Sequence, residues 1–354
     1  MAALISGIQQ LGVGVPNVYE AFDWYREAFG MDIPIFDDEA TAELMLPYTG
    51  GEPRKRHAIL ALNIDGGGGF EIWQYKGRTP LKPEFDVLAG DLGIFSGKIK
   101  SHNVQKTHSD LSANPKVNVL CDVQKDPNGT EHFFVKDPYG NIFQIIASNS
   151  WFRSKFRTTT GGSFGAILGS SDIDKSIAVY KEILGYDTVV YDKTGTFEDL
   201  ASLPGGNHSF RRVMLRHSKP RVGSFSRFFG PSEIELIQVL DRTPNKIFKD
   251  RFWGDLGFIH LCYDVKKMDE LQAICENLGH PFTVDSANSF DMGEAAGRFS
   301  YIEDPDGTLI EFVETHRMPV VKKLGWFLDL QKRPVEKPLP DWMLKALAFN
   351  RVKG

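Results

Sequence analysis

The sequence predicts an α+β protein built from four tandem βαβββ units. Three observations carry this: an internal repeat, a recurring strand–helix–strand order within each repeat, and a composition typical of a folded globular chain. Residues 69–80 (GFEIWQYKGRTP) recur as residues 233–244 (EIELIQVLDRTP), which pairs Glu71 with Glu235. Gly90-Asp-Leu-Gly93 recurs as Gly254-Asp-Leu-Gly257, at the same offset of 164 (235 − 71, 254 − 90). Asp137-Pro-Tyr-Gly-Asn-Ile-Phe-Gln144 returns as Asp304-Pro-Asp-Gly-Thr-Leu-Ile-Glu311, and Val18-x6-Tyr25-x4-Gly30 as Ile173-x6-Tyr180-x4-Gly185. Four matches in one order, drifting by small insertions, indicate a tandem duplication.

Each half divides again. Residues 8–15 alternate, with Leu11, Val13 and Val15 on one face, as a half-buried strand does. Pro16 and Asn17 turn the chain into a helix whose apolar residues Ala21, Phe22, Tyr25, Ala28 and Phe29 recur at helical spacing, with Gly30 placed to close it. Strand-like runs follow at 57–64 and 69–75. Residues 91–150 give a weaker version of the same order, and residues 163–240 and 256–317 repeat it. In the last unit Phe258–Val265 reads as a strand, Met268–Leu278 as a helix, and Phe299–Ile302 and Thr308–Thr315 as strands joined at Asp304-Pro-Asp-Gly307. The expected domains are 1–150 and 163–317, with a polar linker over 151–162 and a tail over 318–354 that carries four prolines and a short helix begun by Asp341.

The chain has 354 residues, 41 Lys+Arg against 46 Asp+Glu, a net charge of −5 and 42 % hydrophobic residues. This mild acidic excess offers no basic footprint for nucleic acid. No apolar run is long enough to span a membrane, and the first residues lack the basic and apolar regions of a signal peptide. The three cysteines, Cys121, Cys262 and Cys275, have no CxxC spacing and read as reduced thiols of a cytoplasmic protein. The Gly66–Gly69 run lacks a P-loop's Lys and precedes a strand, so it reads as a tight connection.

Four βαβββ units with a polar residue in the first strand and an acid in the last resemble the vicinal oxygen chelate superfamily, which includes glyoxalase I, methylmalonyl-CoA epimerase, type I extradiol dioxygenases and bleomycin-resistance proteins. The likeness covers about 310 residues, and its strongest motifs are Gly257-Phe-Ile-His260-Leu-Cys-Tyr-Asp-Val265 and Asp304-Pro-Asp-Gly-x3-Glu311. It implies that paired units form cup-shaped mixed sheets, each cup able to hold a divalent metal on its first and last strands. The positions so implied are Gln10 and Glu71, Ser96 and Gln144, Gly165 and Glu235, and His260 and Glu311. Alternation would turn Ile259, Leu261, Tyr263 and Val265 toward the helices and His260 and Cys262 into the cup. If unit one pairs with unit four, one cup collects Gln10, Glu71, His260 and Glu311, a set like that of animal-type glyoxalase I, and the other is degenerate. If units pair within each half, Glu235, His260 and Glu311 share a cup. The first pairing is preferred because it completes one set.

Two carboxylates, an imidazole and an amide oxygen suit Zn, Ni, Co, Fe(II) or Mn. The resemblance then implies a glyoxalase-like lyase or isomerase, acting on a small α-oxygenated carbonyl substrate through an enediolate. Glu311 is the first choice of base, Glu71 the second, and Tyr301 a neighbouring hydrogen-bond donor. A strand histidine is ordinarily structural; His260 stands out by its place in the repeat. The Arg/Phe-rich stretch 210–229 reads first as a solvated loop, with a lid as the functional alternative, and His208 as a possible rim residue. Where glutathione-dependent glyoxalases carry Arg, Asn and Arg, this chain has Gly14, Tyr75 and Leu256, so glutathione dependence is not implied. An extradiol-type dioxygenase or a non-catalytic small-molecule binder are the alternatives. A monomer or homodimer is expected.

Overall fold

The computed structural model describes residues 4–287, 290–292, 295–321 and 326–352. The first helix, Val18–Phe29, is capped at both ends. The Asn17 side chain accepts from the N–H groups of Tyr19 and Glu20 at 3.0 and 3.4 Å, and Gly30 turns left-handed at φ 67°. Helices Val104–Ser112, Ile173–Glu182 and Met268–Asn277 hold the same place in their units. Asn103 and Asp172 cap two of them. The fourth lacks such a residue, and the Glu314 carboxylate accepts from the N–H of Lys267 at its start (2.9 Å).

The opening strands of the four units are Leu4–Gly14, Gly93–Ser101, Thr160–Gly169 and Gly257–Lys266. The closing strands are Gly69–Tyr75, Ile142–Ala147, Glu233–Val239 and Leu309–Val321. Two curled mixed sheets result. In the ten-stranded sheet the opening strands of units one and four run antiparallel, Leu11 opposite Leu261, and each has its own closing strand parallel beside it. The nine-stranded sheet joins units two and three in the same way. Strand pairing therefore crosses the two sequence halves, the arrangement that gathers Gln10, Glu71, His260 and Glu311.

The helices and the inward faces of both sheets form one apolar core, including Leu11, Val13, Tyr25, Phe29, Phe70, Phe143, Leu261 and Phe312. The repeated Tyr and Asp-Pro motifs meet within it. Tyr25 donates to Asp137 Oδ2 at 2.6 Å, and Tyr180 to Asp304 Oδ2 at 3.2 Å. Each bond ties the helix of one unit to the Asp-Pro turn of the next unit in sequence. Gly67 and Gly68 adopt φ 77° and 75° in the connection before Gly69, and a Cβ at Gly67 would lie 1.7 Å from the Phe228 carbonyl oxygen.

Several features depart from the sequence expectations. Strand Ile33–Ala42 supplies the second β of the expected βαβββ order, which the sequence left unplaced because its pattern is polar and half-exposed. The third opening strand begins at Thr160, inside the stretch read as linker, and the last closing strand continues past residue 317. Ile259 does not face the helices: the register shifts between Gly12↔His260 and Val13↔Phe258, so a bulge leaves Ile259 beside His260 on the cup side, packed with Trp73, Trp253 and Tyr301. The 210–229 stretch is not a solvated loop. Phe225, Phe228 and Phe229 are buried against Leu339, Met343, Leu344 and Leu347 of the tail. The expected tail helix is Asp341–Lys345, followed by a 3-10 turn over Ala346–Asn350, and Arg227 pairs with Asp341 at 3.2 Å. No helix among the described residues is long and apolar enough to cross a membrane. The three cysteines are free, Cys121 half-buried and the other two buried.

Candidate metal centre

The two central strands of the ten-stranded sheet bring the site together. Gly12 stands opposite His260 on one side and Glu71 on the other, and Glu311 lies beside Cys262. A Cβ at Gly12 would lie 2.5 Å from His260 Cε1, so a residue without a side chain is what lets the imidazole lie across the strand. Glu71, His260 and Glu311 each bring one ligand atom to within 4.8 Å of the others. His260 Nε2 is 3.4 Å from Glu71 Oε2 and 3.1 Å from Glu311 Oε2. Gln10 Nε2 donates to Glu311 Oε2 at 3.5 Å. Tyr301, paired with Glu311 across the next strand, places its hydroxyl 3.4 Å from His260 Nδ1. All five residues picked from the sequence therefore meet at one point of one cup.

Electrostatics and hydrogen bonding leave this cluster incomplete. Burial pushes the Glu71 carboxyl above the ordinary carboxylate range, and the Glu311 charge adds to the push. For His260, burial disfavours the imidazolium, but the Glu311 and Glu71 carboxylates outweigh it and raise its basicity. Glu311 is held low against burial, chiefly by His260. The close carboxylates do not lie along the His260 N–H direction: Nε2 is buried without a hydrogen-bond partner, and so is Gln10 Oε1. Two orphaned buried polar atoms cost about 1–3 kcal/mol each. They converge with two carboxylates on one spot, the donor set of a divalent cation. The residues present fit such an ion, which His260 Nε2, Gln10 Oε1, Glu71 and Glu311 would hold.

Two apolar clusters bracket the centre within the cup. On one side Trp73, Tyr75, Trp253, Ile259 and Tyr301 form an aromatic wall, with the Trp253 ring stacked 6.4 Å from that of His260 and 16° from parallel to it. On the other, Leu60, Leu62 and the 225–229 segment meet the tail. Water is thus largely excluded, which strengthens every charge interaction between the walls.

The nine-stranded sheet's cup is built differently. Its expected positions are Ser96, whose hydroxyl donates to the Gly97 carbonyl; Gln144, buried without partners; Gly165, with no side chain; and Glu235. Lys98 fills the space instead, with Nζ 2.9 Å from both Glu233 and Glu235. Arg212 reaches Glu235 at 2.6 Å and Asp199 at 2.8 Å, and Tyr191 donates to Glu235 at 2.8 Å. Burial works against the Glu235 charge, but Arg212 and Lys98 outweigh it and hold the carboxyl far below its usual range. Fixed cations thus neutralise the acids of this cup. Sequence reasoning missed Lys98 and Arg212. The available signal was alternation: Lys98 stands two residues after Ser96, hence on the same face of the strand. His208 pairs with Asp241 at 3.0 Å and touches neither cluster.

No protein-family model matches this chain, and no curated protein matches it in sequence. Solved structures do match in fold. Glyoxalase I from Zea mays is 13 % identical, with a TM-score of 0.51 over 87 % of this chain and 92 % of that one. A mutant of the same maize enzyme gives 14 % identity and a TM-score of 0.53 over 87 % and 92 %. A putative dioxygenase from Bacillus subtilis is 13 % identical, with a TM-score of 0.54 over 88 % of this chain and 86 % of that one. The chain thus has the fold of the vicinal oxygen chelate superfamily, the one its sequence resembles.

Proposed function

We propose that this protein is a divalent-metal-dependent, glyoxalase-like lyase or isomerase acting on a small α-oxygenated carbonyl compound. The observation that carries this is the convergence of Glu71, His260 and Glu311 within 4.8 Å, with His260 Nε2 and Gln10 Oε1 buried and unpartnered beside them. A divalent ion held there would supply Lewis acidity, stabilising the negative charge left on a substrate oxygen when the adjacent carbon loses its proton.

The remaining work falls to the side chains. A carbon-bound proton must pass to a carboxylate whose basicity is raised into the working range. Glu71 suits this better than Glu311, the residue the sequence put first. Glu311 accepts from Gln10 and lies closer to His260 Nε2, at 3.1 Å against 3.4 Å for Glu71, so Glu71 is the carboxylate less engaged by its neighbours. In an isomerisation Glu71 would take the proton from one carbon and return it to the next, and Glu311 would keep its charge. Tyr301, against Nδ1, fixes the plane of the His260 ring. The aromatic wall keeps solvent from the carbanion-like charge.

None of the three positions that would anchor glutathione, Gly14, Tyr75 and Leu256, carries a cation. Gly14 packs against the Asp255 carbonyl, and the Tyr75 hydroxyl donates to the Trp253 carbonyl oxygen. The dioxygenase alternative needs a second histidine, and the cluster at this centre contains one. The test is proton exchange. The metal-loaded protein is incubated in D2O with glycolaldehyde, dihydroxyacetone and 2-hydroxyacetophenone, and the α-C–H signals are followed by NMR. Exchange with at least one compound, lost in Glu71→Gln while metal is retained, is the expected result. Metal-loaded protein that exchanges none of them would make the site a binding site and end the lyase or isomerase proposal.

A further inference from the structure

A cleft of about 410 Å³ lies behind the aromatic wall, outside the metal centre. None of Gln10, Glu71, His260 or Glu311 lines it. Its apolar surface combines the rings of Tyr48, Phe252 and Trp253 with Ile94, Ile259 and Leu309, and Arg251 lies 4.3 Å from the Phe248 ring centroid. Three cations, Lys246, Lys249 and Arg251, face two acids, Glu303 and Asp306, across it. The acids are engaged: Glu303 accepts from the Tyr48 hydroxyl at 2.8 Å, and Asp306 accepts from the Ser171 N–H and hydroxyl. The lysines are not: among the described residues no carboxylate forms an ion pair with Lys246 or Lys249. Arg251 spends its donors on the carbonyls of Leu81, Leu256 and Ile247, with the Asp255 carboxylate near enough to favour its charge. One further polar atom of the lining, Trp253 Nε1, is buried without a partner, on a residue only 7 % exposed.

We propose that this cleft is a second ligand site, separate from the metal centre, which takes a small aromatic anion. The rings hold the ligand's flat body, Lys246 and Lys249 meet its charge, and the indole N–H supplies a hydrogen bond that the folded chain leaves unmade. Trp253 is the wall common to both sites, stacked on His260 on one side and lining the cleft on the other. The inference does not rest on the proposed activity.

The test uses the full chain and 4-fluorobenzoate, read by fluorine NMR line broadening and by tryptophan fluorescence. Saturable binding is expected, with the neutral isostere 4-fluorobenzamide bound more weakly. Lys246→Ala combined with Lys249→Ala removes two exposed side chains and should weaken benzoate binding by about tenfold, the loss of one charge-assisted contact. His260→Ala should leave it unchanged. Any of three results overturns the proposal: no saturable binding, equal binding of acid and amide, or binding lost in His260→Ala and kept in the lysine variant, which would place the probe at the metal centre.

Discussion

Replacing Lys98 with Met tests how the second cup is held together. The Lys98 ammonium has no exposure and sits 2.9 Å from two carboxylates that are equally buried. Removing one partner of a buried ion pair costs about 3–5 kcal/mol, because the charge left behind keeps its desolvation penalty. Here each carboxylate retains an arginine, Glu235 with Arg212 and Glu233 with Arg216, both at 2.6 Å. The expected loss is therefore at the lower end, about 3 kcal/mol, read as a fall in urea midpoint at unchanged slope. Adding Glu235→Gln should restore part of it, since one of the two carboxylates that shared Lys98 then carries no charge, while Arg212 keeps Asp199. The pH arm follows from Glu235, whose carboxyl is depressed below its unfolded value of 4.5. Its contribution is complete above that value, declines as pH falls below it and is lost only as pH falls through the depressed folded-state value, so the stability gap between wild type and Glu235→Gln should narrow progressively in acid. A Lys98→Met midpoint within about 1 kcal/mol of wild type would refute the view that fixed cations hold this cup.

Other consequences are equally open to measurement. Gly12→Ala sets a methyl 2.5 Å from His260 Cε1; it should fold, yet bind a divalent ion about tenfold or more weakly in a calorimetric titration, because the ring must turn from its place. Tyr301→Phe keeps every ligand, so its metal content should match wild type while the fitted affinity drops only a few-fold. Leu344, fully buried under the 225–229 segment, anchors the tail; Leu344→Ala should cost about 2–5 kcal/mol and speed proteolysis of the tail in a trypsin time course.

Much of the architecture was legible in the sequence, for identifiable reasons. The Tyr25 and Asp137 motifs repeat because they bond to each other, as Tyr180 and Asp304 do. His260 and Glu311 stand out because a polar residue in a buried strand needs a partner. Three things were hidden. The bulge at Ile259 is set by pairing with a distant strand, which local alternation does not record. Lys98 and Arg212 look like ordinary surface residues until unit two is seen to join unit three, when both turn out fully buried. The phenylalanines of 225–229 could be read as buried only once the tail that covers them was in view.

On the proposed reading, the opening and closing units grip one cation between Gln10, Glu71, His260 and Glu311. Elemental analysis of protein purified from metal-replete cells, wild type beside His260→Ala with folding verified by circular dichroism, tests it most directly. One equivalent of a divalent transition metal per chain in wild type, falling to near zero in the variant, is the expected outcome. Wild-type protein without metal, or a variant that keeps it in full, would contradict the account.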